Sequence, residues 1–163
     1  MKLTYVYHSC CAIEFKNFAV IIDYYKDATK DGEETGWVKK HLLQNDKPLY
    51  VLCTHSHADH FNEEVLKWDA EKENITYIFS KEVADTLSDN ALLKDEKITY
   101  LDKFETYRDK NIKVQAFGST DEGGSFYIEH KKKKIFHAGD LNNWHWNEEV
   151  PREEALAFEN HYI

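Results

Sequence analysis

Six consecutive residues, His55-Ser56-His57-Ala58-Asp59-His60, follow the apolar run Leu49-Tyr50-Val51-Leu52-Cys53 with only Thr54 between. A buried strand that ends in three imidazoles and a carboxylate is hard to explain by packing, because polar groups of that kind need partners. In extended chain His55 and His57 point the same way, since side chains alternate with period two. Asp59 and His60 fall where the chain turns, because Asn62-Glu63-Glu64 opens a helix-like stretch. One strand end can therefore aim two imidazoles at one point, and a carboxylate plus a third imidazole at a second point nearby. A two-metal hydrolytic site needs that arrangement. The competing explanation, a purification tag or scattered surface histidines, fails because the cluster is internal, carries an Asp and sits on a strand-to-helix junction.

The rest of the chain reads as a frame for that strand. Leu3 to Tyr7 alternates, and Ala12 to Phe15 and Ala19 to Tyr24 follow as strands around a tight Lys16-Asn17 turn. Trp37, Val38, His41, Leu42 and Leu43 recur at helical spacing, ended by Asn45 and Pro48. Past the histidines come a short helix around Glu63 to Trp68, a strand Thr76 to Phe79 and a helix Lys81 to Leu87 with Ser80 as N-cap. Further strands are Ile98 to Leu101, Glu105 to Tyr107, Ile112 to Phe117, Ser125 to Glu129 and Lys134 to His137, and a last acidic helix starts near Pro151. Hairpin strands interrupted by isolated helices predict an α/β (α+β) sandwich in a single domain spanning 1–163.

Composition narrows the function classes. A net charge of −9 argues against generic binding to duplex nucleic acid or anionic membrane, where cationic surface drives affinity. It leaves room for an enzyme of phosphate esters, because bound cations supply local positive charge. The basic run Lys131 to Lys134 lies between two strands and reads as a solvated hairpin turn. The three cysteines, Cys10, Cys11 and Cys53, form no disulfide framework and read as core or near-core residues. No apolar leader follows Met1 and no run approaches transmembrane length, so the expected location is the cytoplasm and no membrane partner is expected.

Other chemistry-bearing residues lie at strand ends. Phe136-His137-Ala138-Gly139-Asp140 closes a strand with a Gly that permits close approach and a carboxylate that can bridge two cations about 3.5–4 Å apart. Alone, such an Asp is an ordinary turn cap; beside His55 to His60 it reads as a ligand. Asp23, ending Val20-Ile21-Ile22, can hydrogen-bond a ligating imidazole and fix its tautomer, or simply serve a turn. His8, before Ser9, faces either the same rim or solvent. The loop Gly118 to Gly124 offers Asp121 as a hard oxygen donor. It lacks the Gly-Lys-Ser/Thr of a phosphate loop. Trp144, His145 and Trp146 read as loop anchors or as the wall of a pocket.

Together, His-x-His-x-Asp-His after an apolar strand, an Asp at a preceding strand end and strand-Gly-Asp downstream resemble the metallo-β-lactamase fold superfamily over about Leu3 to Trp146. Within it, His8-Ser9 and Phe136 to Asp140 are similar to the hydrolases grouped with ascorbate-phosphate lactonase. The resemblance implies an αββα sandwich with the metal site at one edge between the sheets. It assigns His55 and His57 to a first metal, Asp59 and His60 to a second, Asp140 as the bridge, and Asp23 as a supporting residue. The first metal's usual third histidine is replaced in this loop by Ser119, Thr120 and Asp121, of which Asp121 is the substitute ligand. That makes the site harder than an all-histidine one, so Mn²⁺ or Fe²⁺ are alternatives to Zn²⁺, one or two per chain. For a last histidine only His145 and His161 remain, and the chain is short for this fold, as a fragment or a variant completed by a second copy would be.

The leading expectation is a metal-dependent hydrolase that uses a metal-activated water on a small-molecule ester, lactone or phosphoester. Asp59 is the catalytic candidate, orienting or deprotonating that water. The alternative is a degenerate or truncated, non-catalytic member serving interaction or metal binding.

Overall fold

The computed structural model describes residues 1–87, 97–142, 151–153 and 157. Trp144, His145, Trp146, His161 and all of the expected last helix but residues 151–153 and 157 lie outside that set.

Strands β1 (Lys2–Tyr7), β2 (Cys10–Glu14) and β3 (Ala19–Ile22) form an antiparallel meander. A two-stranded hairpin, β4 (Thr29–Lys30) with β5 (Glu33–Glu34), follows; the sequence reading did not anticipate it. β6 (Leu49–Cys53), β7 (Ile75–Ser80) and β8 (Ile98–Leu101) then continue the first sheet in parallel, giving the order β1-β2-β3-β6-β7-β8. The second sheet, β12-β11-β10-β9, is antiparallel: β9 (Thr106–Arg108), β10 (Lys113–Gly118), β11 (Gly124–His130) and β12 (Lys133–His137).

β6 is buried along its whole length because it is covered on both faces. Leu49, Val51 and Cys53 pack with Ala19, Ile21, Tyr77 and Phe79 against the helical layer. That layer is a π-helical turn Lys39–Leu43, a 3₁₀ helix Glu63–Ala70 and the α-helix α1 (Lys81–Thr86), contributing Leu42, Val65, Trp68 and Val83. Tyr50 and Leu52 point the other way, with Val20, Ile22 and Ile78, onto Val114, Ala116, Phe126 and Ile128 of the second sheet. Each of these aliphatic side chains contributes about 1.5–3 kcal/mol on burial. Of the helices, only α1 is an α-helix, one residue shorter than expected; the first is a wider π-helical turn, and the second is a tighter 3₁₀ helix that runs on to Ala70. Ser80 caps α1 through the Glu82 amide, and Asn62 caps the 3₁₀ helix through the Glu64 amide.

Three of the four expected layers are present among the described residues, which place no helix over the outer face of the second sheet. The sandwich positions the chemistry in a simple way. β3, β6 and β7 run parallel, so Asp23, Thr54 and Ser80 emerge at one rim, and in parallel sheets ligands collect at carboxyl ends. The β10–β11 loop and the end of β12 reach that rim from the second sheet. Among the described residues, no helix is long and apolar enough to cross a membrane.

Candidate metal centre

Asp23 organises the rim. Its amide continues the β3–β6 ladder by donating to the Leu52 carbonyl, and the chain then kinks through a left-handed residue (φ 52°). The fully buried carboxylate accepts from the Thr54 amide (2.8 Å) and Thr54 Oγ1 (2.9 Å). It also accepts from His60 Nδ1 (3.1 Å) and His137 Nε2 (2.7 Å). Burial alone would raise its pKa, but the hydrogen bonds from His137 and His60 outweigh burial and hold it well below the usual carboxylate range. The contact to His60 is of the kind that a supporting Asp23 would make. His137 is an addition: it sits on the inner face of β12, and although burial opposes its charge, Asp23 and the Cys11 thiol push its pKa up to about 10.

These bonds determine which imidazole atoms are free. Thr54 Oγ1 has one proton, which goes to Asp23, so at 3.0 Å it accepts from His55 Nδ1–H. His55 Nε2 is therefore a bare lone pair. It is buried, lacks a hydrogen-bond partner and lies 3.6 Å from Asp140 Oδ2. Burial and the neighbouring His60 lower the His55 pKa, so a proton does not fill that gap. Two electron-rich atoms facing each other in a buried site call for a cation. His60 donates Nδ1–H to Asp23 and turns Nε2 to Asp140 Oδ1 at 3.1 Å. Burial opposes the raised His60 pKa, but the Asp23 hydrogen bond wins; a metal ion held by Nε2 would have to take the place of any proton there.

Two sets of donor atoms each lie within 4.8 Å of one another: His55, His60 and Asp140, and His57, Asp121 and Asp140. Asp140 belongs to both, the place a bridging carboxylate would hold. Asp121 lies with His57, where a substitute ligand would sit. The pairing of the histidines differs from the expectation. His55 groups with His60 and not with His57, and Asp59 stands outside both sets with Oδ2 3.9 Å from His60 Nε2. The reason is local: regular strand ends at Cys53, and the amides of His60 and Phe61 both donate to the His57 carbonyl, folding the motif into a turn. Period-two alternation no longer applies there. His55 is wholly buried, whereas the His57 side chain is 45% exposed.

Two glycines hold the second sheet against this turn. A Cβ on Gly123 (φ 67°) would lie 2.1 Å from the Thr54 carbonyl oxygen, and one on Gly139 (φ 56°) would lie 2.9 Å from Thr54 Oγ1. Gly124 donates its amide to the Thr54 carbonyl, so the Asp121 loop is stitched to the histidine turn. Three further contributors were given no role from the sequence. Glu122 Oε2 lies 3.4 Å from His57 Nε2. Ser9 Oγ lies 3.1 Å from His60 Nε2. Glu82 of α1 accepts from both the amide (2.8 Å) and the hydroxyl (2.6 Å) of Ser56, gripping the turn between its first two histidines. Of these, only Ser9 carried a local signal, beside His8 at a strand end.

Residues 2–153 match the family model described as a beta-lactamase superfamily domain. The chain belongs to the beta-lactamase superfamily. Similar solved structures of this superfamily's fold include a diiron beta-hydroxylase from Streptomyces venezuelae, at TM-score 0.64 and 18% identity over 90% of this chain and 30% of that one. A metallo hydrolase from Ignicoccus hospitalis aligns at TM-score 0.61 and 17% identity, over 85% of this chain and 60% of that one. A motif mutant of a metallo-beta-lactamase from Cronobacter sakazakii aligns at TM-score 0.58 and 12% identity, over 94% of this chain and 65% of that one. The chain thus spans from about a third to two thirds of the length of these neighbours, which share the metallo-β-lactamase fold with it. No curated protein sequence matches it.

Proposed function

We propose that the protein is a metal-dependent hydrolase of small-molecule esters, lactones or phosphoesters. The observation that carries this reading is the bare, buried Nε2 of His55 facing Asp140, with His60, His57 and Asp121 converging on the same carboxylate. His55, His60 and Asp140 would hold one cation, His57, Asp121 and Asp140 a second. The mixed nitrogen and oxygen donors suit Zn²⁺, with Mn²⁺ or Fe²⁺ as alternatives. When bound, such cations supply a Lewis acid and a water acidified toward neutral pH.

The chain's own groups do the rest. Asp59, 45% exposed beside His60, would orient an attacking water and take up its proton. Asp23 and Thr54 lock the imidazole tautomers so that Nε2 faces inward on both His55 and His60. A cleft of about 430 Å³ lies beside the β10–β11 loop, walled by Lys81, Glu82, Lys103, Ser119 and Gly123, and none of the proposed metal ligands lines it. The name of the Ignicoccus hospitalis neighbour agrees with hydrolysis.

The test is metal analysis and a panel of lactones, esters and phosphoesters on protein reconstituted with Zn²⁺, Mn²⁺ or Fe²⁺, against His55→Ala. Bound metal and turnover that both disappear in the variant support the proposal. Protein that takes up no metal, or turnover indifferent to His55, refutes it.

A further inference from the structure

We propose that the outer face of the second sheet binds single-stranded RNA, stacking bases on its aromatic side chains and holding phosphates with its cations. Val114, Ala116, Phe126 and Ile128 point into the core, so alternation turns the intervening residues of β10 and β11 outward. Two cross-strand rows result. One runs Thr106, Gln115, Tyr127, Phe136, and the other runs Arg108, Lys113, Glu129, Lys134. They lie two residues apart along each strand, about 7 Å, so one nucleotide can touch both. Phe136 is 52% exposed, and Tyr127 beside it is half-buried. On the β9 side the face gains Phe104, edge-on to Phe117 with ring centroids 5.8 Å apart and with Lys103 Nζ 5.3 Å from its ring. Phe104 has φ 73°, a left-handed conformation costly for an aromatic residue, and at 61% exposure burial does not compensate for the strain.

Charge selects the ligand. Lys2, Lys39, Lys81 and Lys97 each pair with a carboxylate, but among the described residues Arg108, Lys113 and Lys134 have none within ion-pair distance. Arg108 and Lys113 stand directly opposite each other, a like-charge pair that costs stability unless an anion lies against it. Exposed Lys131 and Lys132 extend the positive edge at the hairpin tip. The chain as a whole carries −9, which repels a duplex or an anionic bilayer, ligands whose charge spreads past one face of so small a protein. A single strand can keep to one face, and its unpaired bases offer the flat rings on which Phe and Tyr stack. An acidic peptide would use the cations and leave the aromatic row idle. Thr106 and Gln115, in line with the rings, can hydrogen-bond 2′-hydroxyls, which favours RNA over DNA.

The experiment is fluorescence anisotropy of a labelled single-stranded RNA of about twelve nucleotides, within the usual range of site sizes, titrated with the full chain. Chelator in the buffer silences the proposed metal centre, so this result and the hydrolase reading stand or fall separately. Wild type should bind, with log Kd rising by about 0.7 per log unit of salt for each phosphate neutralised. Phe136→Ala, at a half-exposed position, should fold as wild type by circular dichroism and bind about 5–100-fold more weakly, with the salt slope unchanged. Lys113→Gln should instead lower that slope by about 0.7. DNA of the same sequence, duplex RNA and phosphatidylserine vesicles should all compete poorly. No binding at low salt, or an affinity indifferent to Phe136, would overturn the proposal. So would DNA, duplex or vesicles that compete as well as the RNA, or self-association that Phe136→Ala abolishes, since each assigns the face to another occupant.

Discussion

Replacing His137 by Asn tests the buried Asp23 network through the pH dependence of folding. His137 is held protonated to about pH 10, although burial opposes it, because its Nε2–H donates at 2.7 Å to Asp23. In the unfolded chain the same imidazole loses its proton near 6.5. Below about pH 6.5 both states carry the proton and the stabilisation is complete. Above it the unfolded chain releases the proton first, so the stabilisation drains away as pH rises toward 10. At about 1.4 kcal/mol per pKa unit the full shift would be worth on the order of 5 kcal/mol. Asp23 keeps the donors of Thr54 and His60 when His137 deprotonates, so about 2–3 kcal/mol is the expected loss. For a chain of 163 residues that corresponds to roughly 5–10 °C in Tm. The assay is thermal unfolding of chelator-treated protein from pH 6 to 10, wild type beside His137→Asn. The buried Cys10 and Cys53 thiols, whose pKa values burial raises, also weaken folding at alkaline pH, but both proteins share them. The difference between the two curves therefore isolates His137: about 2–3 kcal/mol at pH 6, shrinking toward zero near pH 10. Parallel curves would refute the reasoning.

Other perturbations have defined outcomes. Glu82→Gln removes the carboxylate that grips Ser56 through two hydrogen bonds and should weaken zinc binding about 10–100-fold, read by chelator competition, with no change in the number of sites. Gly139→Ala sets a Cβ 2.9 Å from the Gly124 carbonyl oxygen in a left-handed residue; it should cost about 1–2 kcal/mol in urea unfolding and displace Asp140 enough to lower metal affinity. Zinc at a hundredfold excess over its Kd should stabilise the apo protein by about 2.7 kcal/mol, visible as a rise in Tm that chelator reverses.

The parts of this structure written in local periodicity were legible in the sequence. β6 and β8 have the expected bounds, and the other strands differ by a few residues, because apolar runs bounded by turn residues are a local signal. The short hairpin of β4 and β5 was not, since Thr29, Lys30, Glu33 and Glu34 are all exposed and carry no apolar pattern. The ligand types were legible in His55 to His60 and in Gly139-Asp140, but their grouping was not. It depends on a turn built by the His57 carbonyl and on the second sheet's approach through Gly123 and Gly139. His137 and Glu82 were invisible for the same reason: each lies far along the chain from the residue it touches, Asp23 and Ser56 respectively.

Asp140 is the residue common to both donor sets among the described residues, so its removal probes the metal centre most directly. Zinc stoichiometry by elemental analysis, on wild type and Asp140→Ala reconstituted under the same conditions and matched in secondary structure by circular dichroism, should fall from one or two ions per chain to well below one. An Asp140→Ala protein that keeps the wild-type zinc content would contradict a centre built on that carboxylate.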